Sequence, residues 1–173
     1  MIIRKAHPND AAGIAKVQVD SWRTTYKGIV PDDFLQQLSY KKREEIWREA
    51  TKSTLVFVAE EENGEIVGFI CGGKERSGKY DGYDGELYAI YILKEYQGKG
   101  IGTLLVKGLT RAMDEAGYSS MIVLVLDENP ATYFYEALGG KLIGYDEIEI
   151  GGMPLKERVY GWRELRNLLT KLS

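Results

Sequence analysis

The chain has 173 residues, with 23 Lys and Arg against 26 Asp and Glu, and its apolar and charged fractions of 44% and 28% are those of an ordinary globular protein. That length suits one domain with a sizeable core, and a net charge of −3 gives no electrostatic reason to expect nucleic acid as a partner. With one cysteine (Cys71) and one histidine (His7), the chain excludes an intramolecular disulfide and argues against a structural zinc site or a Ser-His-Asp hydrolase.

No apolar run approaches the ~20 residues that span a bilayer. The first residues, MIIRKAHPND, lack the long apolar core and small-residue cleavage site of a secretory leader, so the expected compartment is the cytoplasm. Residues 2–4 read as a first strand. Pro8, Asn9 and Asp10 then open a helix, with Asn9 or Asp10 as the expected cap and Ile14, Val17, Trp22 and Tyr26 as its apolar stripe, ended by Gly28. Pro31-Asp32-Asp33 starts another helix with proline and acids in its first turn, and a third piece runs from Lys41 to Ala50 around Ile46 and Trp47.

An antiparallel pair follows, 54–61 and 65–74, joined at Glu62-Asn63-Gly64, where Asn-Gly is a strong hairpin signal. Residues 72–85 form a polar, glycine-rich loop carrying Tyr80 and Tyr83, either an exposed connector or one wall of a pocket. From Glu86, ELYAIYILKEY alternates like a strand, and Gln97-Gly98-Lys99-Gly100-Ile101-Gly102 turns into a helix. In that helix Ile101, Leu104, Leu105, Leu109, Ala112, Met113 and Ala116 recur at steps of three and four. Met121 to Leu126 is uninterrupted apolar, as expected of a strand covered on both faces. A helix at 130–138, a strand at 142–150, a Gly151-Gly152 turn, a last strand reaching Trp162 and a helix at 164–172 complete the chain. Nothing marks a second domain, so residues 1–173 are expected to form one.

The chemistry is carried by the glycine turn. A helix N-terminus has free N–H groups and a partial positive charge, and glycines at 98, 100 and 102 remove the Cβ atoms that would keep a pyrophosphate away. Lys99 is either a further charge for that anion or a solvated loop lysine. A nucleotide P-loop fails because Gly100 follows Lys99 where Ser or Thr is required; a dinucleotide fingerprint counted from Gly98 fails because Thr103 stands at its third glycine.

What fits is Q-x-x-G-x-G. On Gln97, Gly100 and Gly102 the chain resembles the GNAT N-acetyltransferase superfamily, and Asn129-Pro130-Ala131-Thr132-Tyr133-Phe134-Tyr135-Glu136-Ala137-Leu138-Gly139 is similar to its second pattern. The resemblance implies an α+β fold. Its mixed, mostly antiparallel sheet has six or seven strands flanked by helices, splayed between the fourth and fifth to admit acetyl-CoA. It implies cofactor contacts from the backbones of Ile90 and Ile92, from Tyr91, Gln97, Gly98, Lys99, Gly100, Ile101, Gly102 and Thr103, and from Asn129 and Tyr135. Tyr135 is the acid candidate for the departing thiolate, unless it only packs the helix with Phe134. Glu86 is the base candidate, with Asp84 and the nearby tyrosines as alternatives, and Asn129 either holds the pantetheine arm or caps the next helix. One departure stands out: Gly140 follows Gly139 where the family usually has an aromatic.

The implied activity moves an acetyl group from acetyl-CoA to a primary amine of a small molecule or peptide, by direct attack in a ternary complex and without a metal. A catalytically weak acyl-CoA sensor and a nucleotide-binding protein are the competing classes. Trp22, Tyr26, Tyr80 and Tyr83 are candidate linings of the acceptor pocket, and a homodimer is a possible assembly.

Overall fold

The computed structural model describes residues 1–173. Strand β1 (Ile2–Lys5) leads through a 3-10 turn at Pro8–Asp10 into α1 (Ala11–Thr25). Asp10 stands at the N-cap of α1, one of the two expected positions, with no side-chain cap hydrogen bond there, but the 3-10 turn before it is capped by neither Asn9 nor Asp10. Pro8 fixes the first turn position, so the cap falls on His7, whose Nδ1 accepts from the Asn9 N–H at 3.1 Å. The Asp10 carboxylate reaches back to accept from the His7 N–H at 2.7 Å. It also takes two hydrogen bonds from Arg4, at 2.8 and 2.9 Å, and Arg4 reaches on to Glu60 at 2.6 Å. This network ties the first strand, the first helix and the next strand together.

Helices α2 (Asp32–Gln36) and α3 (Tyr40–Ser53) precede β2 (Leu55–Glu60) and β3 (Ile66–Lys74). Trp47 of α3 is buried against Phe69, with ring centres 4.9 Å apart, whereas its neighbour Ile46 faces solvent. In the hairpin, Gly64 takes φ +88° and Asn63 Oδ1 accepts from the Glu65 N–H at 2.9 Å, which is the turn chemistry that Asn-Gly supplies.

Then come β4 (Gly85–Ile92), α4 (Ile101–Glu115), β5 (Met121–Leu126), α5 (Ala131–Ala137), β6 (Lys141–Ile150), β7 (Met153–Trp162) and α6 (Leu165–Leu172). One mixed sheet of seven strands results, ordered β1-β2-β3-β4-β5-β7-β6, with β4 and β5 as its parallel pair. Helices α1 and α3 cover one face, and α4 with α6 the other. Helix α4 buries Ile101, Leu105, Val106, Leu109, Thr110 and Met113; Leu104, expected in that stripe, lies just off it and is exposed.

The parallel ladder is short. Gly85, Glu86 and Leu87 pair with Met121, Ile122 and Val123, and beyond Leu87 the strands separate, as the resemblance implied. The pivot of this wedge is packed and hydrogen-bonded. The Asp84 carboxylate accepts from the N–H groups of Ser119 and Ser120 and from the Ser120 hydroxyl at 2.8 Å, and the Gly85 N–H donates to the Ser120 carbonyl at 3.1 Å. On the other edge of β4 a bulge at Tyr88 shifts its register against β3.

The missing aromatic after Gly139 also finds its explanation. A side chain at Gly140 would lie 2.9 Å from Trp162, whose indole fills this space and donates to the Leu138 carbonyl at 3.1 Å. A Cβ on Gly85 would lie 2.6 Å from the Ser120 carbonyl oxygen, a backbone atom that cannot swing away. Gly85→Ala is therefore expected to destabilise the fold by about 1–3 kcal/mol, the usual cost of overpacking. Urea unfolding measures it, and an unchanged midpoint would show that the pivot is not tightly packed.

Candidate active site

The wedge holds two adjoining cavities. The first, of about 520 Å³, runs from the glycine turn along the free edge of β4, between α1 and the start of α5. The second, of about 260 Å³, lies deeper in the wedge. Ile90, Tyr91, Asn129 and Ala131 line both, so these are two rooms with a common wall.

The groove is built on backbone. The Leu93 N–H donates to the Val67 carbonyl of β3, so strand alternation turns the peptide groups of Ile90 and Ile92 toward the open edge. One of them is partly occupied, because Gln97 Nε2 donates to the Ile92 carbonyl at 3.0 Å and closes the turn onto the strand. Gly98 and Gly100 take φ +74° and +83°, left-handed conformations that favour glycine, and no atom lies within 4 Å of a Cβ built on either. No side chain caps α4, so its leading N–H groups, at Ile101, Gly102 and Thr103, face the groove unpartnered by side chains.

Two expected contacts have different surroundings. A Cβ on Gly102 would meet the Phe134 ring at 3.2 Å, so this groove-lining glycine also serves the packing of α5 on α4. The Lys99 side chain turns away, with Nζ 5.3 Å from the Tyr96 ring centre, and does not line the groove. Ser21, Thr24 and Thr25 of α1 form a wall that sequence reasoning missed; their three- and four-residue spacing on the helix was the available signal. Ser21 is buried and its hydroxyl has no partner.

A chain of hydrogen bonds marks the common wall. Asn129 Nδ2 donates to the Tyr26 hydroxyl at 3.4 Å, and that hydroxyl lies 3.2 Å from the Tyr91 hydroxyl. Asn129 Oδ1 meanwhile accepts from the Ala131 N–H at 2.9 Å, so the residue also organises the start of α5. The adjacent aromatics of α5 divide between the two rooms: Phe134 lines the groove and Tyr135 the chamber. Tyr135 is 4% exposed, and burial raises its phenol well above the usual range, with no hydrogen bond to offset it.

Glu86 is 4% exposed and lines the chamber, but it is not free. Arg76 clamps it: Nη2 donates to Oε2 at 2.8 Å, while the Arg76 N–H and Nε donate to Oε1 at 3.2 and 3.4 Å. The guanidinium lies over the Tyr88 ring at 4.1 Å. Asp84, the alternative base, is consumed by Ser119 and Ser120 at the pivot.

Trp22 and Tyr26 line the chamber with ring centres 4.7 Å apart. Tyr80 and Tyr83 do not join them. They line another cavity beside α6, where the Tyr83 ring packs on Gly161 and the Tyr80 hydroxyl donates to Asp146 at 3.4 Å. Their loop is pinned, since Glu75 takes hydrogen bonds from Ser77 and Gly78 and its N–H donates to the Asp84 carbonyl. Arg76, Tyr88 and Glu157 also line the chamber and were missed. Glu157 had a signal, because it stands between Leu155 and Val159 in the inward phase of β7.

The Acetyltransferase (GNAT) family model matches residues 17–140. The chain belongs to this family. A Bacillus subtilis (strain 168) protein described as an uncharacterized N-acetyltransferase, YuaI, is 44% identical over 171 residues, covering 99% of this chain and 98% of that protein. Among solved structures, the PaiA N-acetyltransferase of Thermoplasma acidophilum in complex with coenzyme A superposes with a TM-score of 0.67 at 21% identity, covering 91% of this chain and 96% of that one. The phosphinothricin acetyltransferase of Sinorhizobium meliloti, in complex with AcCoA, gives 0.70 at 21% identity, covering 93% and 86%. These structures share the GNAT fold with this chain, and the fold makes the groove intelligible as the place where the sheet is split. No helix is long and apolar enough to cross a membrane, and no group of three or more His, Cys, Asp or Glu is placed to hold a metal ion.

A side chain on Gly100 would both strain the left-handed turn and crowd the N–H groups beside it. Gly100→Val is expected to weaken acetyl-CoA binding at least tenfold, roughly 1.4 kcal/mol. Calorimetry on the folded variant measures this, and an unchanged Kd would separate the turn from the cofactor.

Proposed function

We propose that this enzyme transfers the acetyl group of acetyl-CoA to a primary amine of a small molecule or peptide, by direct attack in a ternary complex. The observation that carries this reading is the continuity of the two rooms. An anion cradle at the head of α4 opens along a free strand edge into a chamber walled by Tyr135, Glu86 and aromatic side chains. A pyrophosphate at the turn and an extended pantetheine arm beside the peptide groups of Ile90 and Ile92 bring the thioester to the common wall. The coenzyme A and AcCoA complexes of the two structural relatives support that cofactor.

The amine enters from the chamber side, gives up one proton through water to solvent, and its neutral nitrogen attacks the thioester carbon as the C–S bond breaks; the nitrogen sheds its second proton by the same route as the amide forms. Tyr135 serves the departing sulfur. Its raised pKa keeps the phenol fully protonated at neutral pH, while making complete proton transfer uphill toward a thiolate of ordinary pKa ~8.5. Its contribution is thus a hydrogen bond that strengthens as charge develops on sulfur. Glu86, the expected base, keeps a free lone pair on Oε2 for a water-mediated role, but its charge is balanced by Arg76. A covalent acetyl-cysteine route is disfavoured: Cys71 is 4% exposed within β3, and burial pushes its thiol up to about 12.

Tyr135→Phe keeps the ring against Trp162 and Tyr160 and removes only the hydroxyl. Thiol release across a panel of amines is expected to show kcat reduced about 10²–10³-fold, the usual loss when one donor to a developing negative charge is removed. Cofactor affinity and Tm should stay near wild type. Wild-type kcat in this variant, with chemistry shown to limit the rate, would make Tyr135 a packing residue. Cys71→Ala is expected to retain most of the activity, and an acetyl adduct on wild-type protein without acceptor, seen by mass spectrometry, would contradict direct attack.

A further inference from the structure

The acceptor chamber contains one carboxylate that the rest of the structure leaves without a cation. Glu86 is neutralised by Arg76, and Asp146, at the outer edge, is met by Lys79 at 3.4 Å and Tyr80. Glu157 is half-buried on β7, opposite Leu126 of β5 and Asp146 of β6, and its carboxylate makes neither an ion pair nor a hydrogen bond. The charged groups that bear on it are Asp146 from β6, Glu86 from β4 and Arg76 from the β3–β4 loop; the hydroxyl of Tyr26, just past the end of α1, is near enough to feel its charge. Burial first, then Asp146 and Glu86, hold its pKa above the ordinary glutamate range, with Arg76 opposing them. A carboxylate with that balance gains when a cation arrives.

The rest of the chamber favours a particular cation. Its walls are Trp22, Tyr26 and Tyr88 together with the aliphatic side chains of β5 and β6. Aromatic faces attract ammonium groups, and apolar walls favour a hydrocarbon arm. With Arg76 and Glu86 paired to each other, Glu157 is the one carboxylate of the chamber left open to an incoming cation.

We propose that Glu157 is the docking carboxylate for the acceptor, receiving the ammonium of a cationic alkyl or arylalkyl amine inside the aromatic chamber. The proposal rests on the acetyl-transfer reading of the same site and names the acceptor class that reading leaves open. Amines bearing their own carboxylate are disfavoured, because Arg76, the one guanidinium at the chamber, is already engaged by Glu86.

Three ligands of one skeleton test this: phenethylammonium, 2-phenylethanol and phenylacetate. They are titrated by NMR or calorimetry into protein saturated with coenzyme A, a complex that cannot turn over. Wild type is expected to bind the ammonium at least about tenfold more tightly than the alcohol, in line with a charge-assisted contact, and phenylacetate least well. Glu157→Gln should bring the ammonium down to the affinity of the alcohol while leaving Tm and the alcohol's own affinity unchanged. Glu157→Asp should restore part of the preference. No preference for the ammonium in wild type, or a preference that survives Glu157→Gln, overturns the assignment. Failure of coenzyme A to bind would instead count against the acetyl-transfer reading, and the same titrations on the free protein would still judge Glu157.

Discussion

The structure depends on a ladder that stops. Parallel strands β4 and β5 share three registered pairs and then diverge, although a sheet normally continues pairing wherever it can. Every functional feature follows from that interruption. The peptide groups that pairing would have consumed are left at an open edge, the gap admits an elongated ligand, and the residues at its depth are screened from water. Cutting the ladder costs backbone hydrogen bonds, and the molecule offsets the loss at the closed end with Asp84, Ser119, Ser120 and the tight approach of Gly85.

A division of labour runs along β4. Its first residues are locked into the sheet, a bulge at Tyr88 resets its register, and its last residues serve the groove. The bulge leaves Tyr88 unpaired on the chamber side, beneath the Arg76 guanidinium, which in turn holds Glu86. One irregularity thus positions an aromatic, a cation and a carboxylate.

Much of this was legible in the sequence, for local reasons. The glycine turn, α4 and the apolar β5 announce themselves through turn chemistry and periodicity, and the hairpin at Asn63-Gly64 does the same. The resemblance of two motifs supplied the splay, which no periodicity encodes. What remained hidden depends on long-range geometry. That Lys99 folds over Tyr96, or that Tyr83 packs on Gly161 away from the chamber, is set by partners distant in sequence or by rotamers. Arg76 sits in a loop whose course is fixed by Glu75 and Asp84, and Glu157 becomes interesting only once β7 is known to border the wedge. The start of α1 shows the smaller kind of difference: Asp10 is the helix N-cap, while Pro8 places the cap of the preceding turn on His7, two residues before Asn9.

The three-residue chain from Tyr91 through Tyr26 to Asn129 has a further bearing on how the molecule comes apart. Its members belong to β4, to the end of α1 and to the β5–α5 connection, segments that meet only when the whole chain has assembled. Contacts of such sequence separation close the largest loops, so their entropy is recovered last in folding and lost first in partial opening. A subglobal fluctuation that frees α1 from the sheet therefore unmakes the wall between the two rooms while the α4–β5 scaffold stays whole. Amide exchange should grade accordingly, with α4 and β5 protected to the global limit and the end of α1 released earlier.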